Sequence, residues 1–396
     1  MYTDGVRPVA GVIALVLIAG VSPRAAIGRV GVAVQPPAPT QPSTTTAQST
    51  STDTTPRPSF TEFLQGIRDE ALSRGIRKDI VDTALSNIDE PMPIVLERDR
   101  TQAETVLSLE RYLAQRLTAK RVRTGREMLA RHRALLGRVA DRYGVPARIL
   151  VAIWGVESEY GRLTGIRPTI AALATLAWDP RRSTLFRAEL FRALEILNRG
   201  DIEFAHLRGS WAGAMGQPQF MPSSYLQYAE DFDGDGRKDI WSTLDDVFAS
   251  IGNYLKGHGW ESGETWGREV KVTKAVAARI VDEVPRREGG CRATREMTVA
   301  LPLKEWQALG VRLPSGAALP KADVEASLIS GDTRHFLAYD NYDALLEYNC
   351  ANAYALGVAL LGDRIAGPAA KSAPVKATAT KEKKTTKAPA KNPRKR

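Results

Sequence analysis

Cysteine is nearly absent: Cys291 and Cys350 are the only two in a chain of 396 residues. That scarcity excludes a disulfide-dense scaffold and a four-cysteine zinc site. Histidine is scarce as well. His132, His206, His258 and His335 stand at no ligand spacing, so the sequence gives no support to a transition-metal centre. Long apolar runs are missing; Val9–Val21 has 13 residues, against the about 20 that a membrane-spanning helix needs. Net charge is missing from the main body too. Of the formal +10, +9 falls between Lys371 and Arg396, where ten Lys+Arg face the single acid Glu382. The body is close to neutral, which argues against a basic nucleic-acid-binding surface. What the chain does have is 43% hydrophobic residues, enough for a sizeable core, and a length suited to about two to three domains.

The ends differ from the middle. Arg7 followed by the Val9–Val21 run and the small residues Ala25 and Ala26 predicts a signal peptide over residues 1–27, hence export to the periplasm or cell envelope. The alternative is a buried N-terminal helix or a retained anchor, which would put the chain at a membrane. Residues 28–58 are Pro/Ser/Thr-rich and are expected to form a disordered linker, and residues 367–396 a basic disordered tail.

Between them, residues 59–366 read as one mainly helical (α+β) unit. Phe60, Phe63, Leu64 and Ile67 recur at helical spacing, as do Leu109, Tyr112, Leu113 and Leu117. Arg121–Tyr143 carries Met128, Leu129, Leu135, Leu136 and Val139 on a charged background, again a helix. From Thr265 to Leu303, REVKVTKAV, ARIVDEV and REMTVALPL mix β-branched residues with charges and predict strands. Helical character returns at Tyr342–Ile365. The predicted partition is a helical flank (59–143), a core (144–262), a strand-rich insert (263–340) and a closing helix (341–366).

Pro146 suits the first turn of a helix. In the following run RILVAIWGVESEYG, Ile149, Ile153, Val156 and Tyr160 share one stripe. Glu157, four residues after Ile153 and three after Trp154, joins that apolar neighbourhood near the helix's last turn, with Gly161 as the stop. Desolvation and the negative end of the helix dipole are both expected to raise its pKa, as a general acid requires. Glu159 faces elsewhere. Further on, GSWAGAMGQPQFMPSSY surrounds small residues (Gly209, Gly213, Ala214, Gly216) with Ser210, Gln217, Gln219, Trp211, Phe220 and Tyr225. Such a mixture suits carbohydrate, whose faces stack on rings and whose hydroxyls bind amides. A tight connection packed by aromatics is the alternative.

GVESEYG at Gly155–Gly161 and GAMGQPQFMPSSY at Gly213–Tyr225, followed in order by NYLKGHGW at Asn253–Trp260 and EYNCANAY at Glu347–Tyr354, closely resemble the MltB-type lytic murein transglycosylases, glycoside hydrolase family 103. The resemblance covers roughly Phe60–Ile365. It implies a lysozyme-like helical core that cleaves the MurNAc–GlcNAc β-1,4 bond of peptidoglycan, with Glu157 as the catalytic residue. Ser210 and Gln219 would contact the glycan, and Tyr112, Tyr254, Tyr348, Asn349 and Tyr354 would line the cleft. Most glycosidases use two carboxylates; here nothing in the spacing of Glu159 or Glu347 opposes either one to Glu157. The resembled family lets the substrate's own C6 hydroxyl attack, leaving 1,6-anhydro-MurNAc ends, with no catalytic cofactor. The partners implied are glycan strands, with other cell-wall enzymes as further candidates. A true hydrolase of the same bond and a non-catalytic wall-binding scaffold are the competing readings.

Asp231-Phe232-Asp233-Gly234-Asp235-Gly236 fits the opening of an EF-hand loop. Position 12 is Ser242 where an EF-hand has Glu. In the resembled family a longer loop is closed by an acid at the fifteenth position, here Asp245, with the Arg237 carbonyl as a further ligand. That implies a structural calcium held by Asp231, Asp233, Asp235, Arg237 and Asp245; a metal-free acidic turn is the alternative. Export would place Cys291 and Cys350 where a disulfide can form, and two separate thiols are the other possibility.

Overall fold

A computed structural model describes residues 57–101 and 107–367. The predicted signal peptide, the linker before Arg57 and the tail beyond Gly367 lie outside the described residues. Among the described residues, no helix is long and apolar enough to cross a membrane.

Helix α1 (Phe60–Ser73) starts where Ser59 and Glu62 satisfy each other's backbone amides in a capping box, and it buries Phe60, Leu64, Ile67 and Ala71. Helices α2 (Lys78–Leu85) and α3 (Pro93–Arg100) follow. Next come α4 (Leu109–Arg116), α5 (Ala119–Arg131) and α6 (Arg133–Tyr143); α5 and α6 divide the long predicted helix at His132. Gly144, at φ 76°, ends α6 in the left-handed conformation that costs glycine least, and α7 (Ala147–Ser158) begins directly after Pro146. Helix α7 buries every residue from Ile149 to Gly155. A helix apolar on all faces must be enclosed by others.

The short strands β1 (Arg167–Pro168) and β2 (Arg208–Gly209) pair antiparallel around α8 (Thr169–Trp178) and α9 (Ser183–Arg199). Helices α10 (Pro222–Tyr228) and α11 (Leu244–Gly257) complete this half. The insert holds β3 (Gly267–Val270), α12 (Lys274–Glu283), α13 (Arg292–Arg295), β4 (Leu301–Pro302), α14 (Leu303–Leu309), β5 (Glu325–Ser330) and β6 (His335–Ala338). Its antiparallel sheet has the order β3-β6-β5-β4. Two helices, α15 (Asn341–Tyr348) and α16 (Asn352–Ala366), stand where a single closing helix was predicted.

Two features of the insert differ from expectation. The segment ARIVDEV lies in α12: Val276, Ile280 and Val284 recur every four residues, and they join the insert's own core with Trp306 and Leu328. The central strands of the sheet are β5 and β6, both beyond the stretch whose composition had suggested strands. The predicted flank also divides. Helices α1–α3 pack with α8 and α9 in one core, whereas α4–α6 pack with α7, α11 and α16 in another.

Candidate active site

Glu157 sits in the last turn of α7, half-buried, and its Oε1 accepts a hydrogen bond from the Tyr354 hydroxyl on α16. Tyr354 stacks near-parallel on Tyr348, whose ring meets Tyr254, and Tyr254 in turn meets Tyr228 at 4.9 Å. Phe220 closes on both Tyr254 and Tyr348. Burial first, and then the charge of Glu157, hold the phenols of Tyr354 and Tyr348 well above the ordinary range, so both stay protonated donors. The Tyr348 hydroxyl donates to the Pro218 carbonyl at 2.8 Å and that of Tyr254 to the Glu347 carbonyl at 2.7 Å. Tyr112, on α4, is buried. Asn349 is exposed at the end of α15.

The helix stops in an unusual way. Glu159, Tyr160 and Gly161 take φ values of 48°, 62° and 80°, three left-handed residues in succession. Helix α5 holds this turn. Arg121 Nη2 donates to Glu159 Oε1 at 3.3 Å, and the Tyr160 hydroxyl donates to the Arg121 carbonyl at 2.7 Å. The Tyr160 ring lies over Gly155, where an added Cβ would come within 2.5 Å of it. Glu159 therefore faces away from Glu157, but paired with Arg121. No sequence signal pointed to Arg121; it lies some forty residues earlier, on a helix read only as amphipathic.

The glycine-rich segment folds into a tight loop beside this turn. Met215 and Phe220 exchange backbone hydrogen bonds, and Ser210 Oγ accepts from the Ala212 and Ala214 amides at 3.2 and 3.1 Å. Gln219, at φ 55°, donates both its amide contacts inward, to the Thr164 and Gly216 carbonyls. Gln217, Phe220 and Tyr225, grouped with them as carbohydrate-type residues, are instead buried.

The acidic loop is drawn together from within. Asp231 accepts from the Gly234, Asp235 and Gly236 amides, Asp233 from Asp235, and Asp235 from Arg237. The carboxylates brought within 4.8 Å of one another are those of Asp231, Asp233 and Asp246. Asp245, the closing ligand implied by the resemblance, is turned outward onto Arg138 Nη2 at 2.8 Å. One residue later on α11 the direction reverses: Asp246 is buried and accepts from the Phe232 and Asp239 amides. Burial, reinforced by the charges of Asp233 and Asp231, pushes Asp246 up to about 6 against its backbone hydrogen bonds. Cys291 and Cys350 form a disulfide with Cα atoms 6.1 Å apart, tying the insert to the turn between α15 and α16.

Residues 59–363 match the transglycosylase SLT domain family. The chain is 34% identical over 259 residues to membrane-bound lytic murein transglycosylase B of Escherichia coli (strain K12), covering 65% of this chain and 67% of that one. Among solved structures it is similar to SltB3 from Pseudomonas aeruginosa in complex with NAG-anhNAM-pentapeptide, at a TM-score of 0.70 and 41% identity, covering 78% of this chain and 80% of the other. It is also similar to the Escherichia coli lytic transglycosylase Slt35 in complex with calcium, at a TM-score of 0.64 and 29% identity, covering 77% and 92%.

Proposed function

Because the chain belongs to the transglycosylase SLT domain family, and is a lytic transglycosylase of the MltB/SltB type with the lysozyme-like helical fold of such enzymes, a lyase that cleaves peptidoglycan, we propose that one carboxyl group, Glu157, carries its acid–base chemistry. The observation behind this reading is how the nearby acids are disposed. Glu157 is held by a buried tyrosine, Glu159 is turned onto Arg121, and the Glu347 side chain is 62% exposed beside His258.

In the reaction, protonated Glu157 donates its proton to the glycosidic oxygen between MurNAc and GlcNAc, and the C1–O4 bond breaks. The MurNAc N-acetyl oxygen shields the positive charge that develops at C1. The Glu157 carboxylate then takes the proton of the MurNAc C6 hydroxyl as that oxygen bonds to C1. The products are a GlcNAc end with a free 4-hydroxyl and a 1,6-anhydro-MurNAc end, with no water consumed. Tyr354 orients the carboxyl group through both steps. Ser210 O–H and the Gln219 amide oxygen meet glycan polar groups, while Tyr112, Tyr254, Tyr348 and Asn349 line the cleft.

Calcium fits the acidic loop. Asp231, Asp233 and Asp246 would hold it, three hard oxygen donors whose mutual repulsion a divalent cation removes. Its part is structural, bracing the loop. The site of action is the cell envelope, on glycan strands that carry stem peptides.

Glu157→Gln tests the assignment, with products of a sacculus digest read by mass spectrometry. General-acid loss should lower muropeptide release by about 10²–10⁴-fold. Undiminished release would eliminate Glu157 as the acid. Reducing ends from the wild-type chain, in place of anhydro ends, would make water the nucleophile.

A further inference from the structure

We propose that Gln217 is a positioning residue that fixes the distance between the catalytic helix and the loop meeting the glycan; this rests on Glu157 acting as the acid. Gln217 is 7% exposed. Its amide oxygen accepts from the Trp154 indole N–H at 2.7 Å, and its amide nitrogen donates to the Trp241 carbonyl at 2.8 Å. Its backbone N–H donates to the Ile240 carbonyl at 2.8 Å. The left-handed turn closes on the same atom: a Cβ on Gly161 would lie 2.4 Å from Gln217 Oε1.

Trp154 precedes Glu157 by less than one helical turn, and Gln217 precedes Gln219 by two residues. One buried residue thus joins the segment bearing the proton donor, the loop bearing Ser210 and Gln219, and the second half of the acidic loop. An amide is suited to this joint because it accepts on one side and donates on the other without charge. The Trp154 contact is buried.

The test is a double-mutant cycle of Gln217→Met and Trp154→Phe, with kcat and KM measured on a soluble GlcNAc–MurNAc oligomer. Both substitutions cut the Trp154–Gln217 hydrogen bond; Gln217→Met keeps the side chain's bulk but also frees the Trp241 carbonyl, and Trp154→Phe replaces the indole by a smaller ring. Each should lower kcat by about tenfold with KM changed by less than about threefold, because a displaced acid slows chemistry more than binding. The double variant should stay within about threefold of the worse single one. An unchanged kcat, a loss confined to KM, or a double loss of about 100-fold from independent effects would overturn the proposal. Should Gln217→Met fail to fold, Trp154→Phe keeps an aromatic ring beside Tyr160 and Phe248 and stands under the kcat and KM criteria alone. Glu157→Gln run alongside separates the two readings. An inactive Glu157→Gln with a fully active Gln217→Met refutes only this inference, whereas an active Glu157→Gln refutes the assignment beneath it.

Discussion

Two loops of the chain, one rich in glycine and one in acids, are ordered by opposite means. The glycine-rich loop at 209–220 is neutral and closed by its own side chains and its neighbours: the Ser210 hydroxyl and the Gln219 amide take up backbone groups, and its glycines sit where neighbouring atoms leave no room for a side chain. The acidic loop at 231–246 is open. Its glycines face empty space, and its order comes from carboxylates that accept amide hydrogens while repelling one another. The first loop is complete as it stands. The second carries a surplus of negative charge that invites a partner. Irregular backbone can thus be held by steric closure or by ligand demand, and the two respond differently to perturbation.

The widest gap between them should come from one type of substitution, made at Gly165, which packs on the start of the first loop, and at Gly234 within the second. A Cβ at Gly165 would lie 2.1 Å from the Gly209 carbonyl, at φ 87°, so Gly165→Ala should cost about 3 kcal/mol and displace the start of the glycine-rich loop. Gly234 has a similar φ of 80° but nothing within 4 Å, and Gly234→Ala should cost only about 1 kcal/mol. Denaturant midpoints compare them, and equal losses would abolish the distinction. Calcium comes next. At about 100 times its Kd it should stabilise the chain by about 2.7 kcal/mol, seen as a rise in Tm of several degrees that chelator reverses and Asp231→Asn removes. A shift undiminished in Asp231→Asn would place the cation elsewhere. The smallest effect is expected from Ser210→Ala, which leaves two loop amides without their acceptor. A loss of about 1 kcal/mol, the same with and without calcium, is the expected thermal-denaturation result; a calcium-dependent loss would show that the ion's effect passes through the Gln217 joint to the Ser210 end of the first loop.

Much of this arrangement can be read from the chain. Glu157 stood out because helical spacing placed an acid among apolar residues at a helix end, and both loops announced themselves by composition. What escaped is what depends on three-dimensional register. Asp245 and Asp246 are neighbours, and only the angle at which α11 starts decides which points into the acidic loop. Gln217 and Gln219 are the same residue type two positions apart, yet one is buried in a joint and the other lines a surface. In α12, β-branched composition suggested a strand while the spacing of Val276, Ile280 and Val284 favoured a helix, and the spacing prevailed through packing on Trp306. Arg121 acts through a contact 38 residues away in the chain, beyond the reach of any local pattern.

The three left-handed residues after α7 set two selective pressures against each other. A side chain held at positive φ carries a conformational penalty of about 1 kcal/mol or more that glycine escapes. An engineer screening only for heat resistance would therefore be led to glycine at Glu159 and Tyr160. Each such gain would unfasten α5 from the end of α7, through the Arg121 side chain in one case and its carbonyl in the other. At this corner, toughness and turnover are expected to trade against each other, residue by residue.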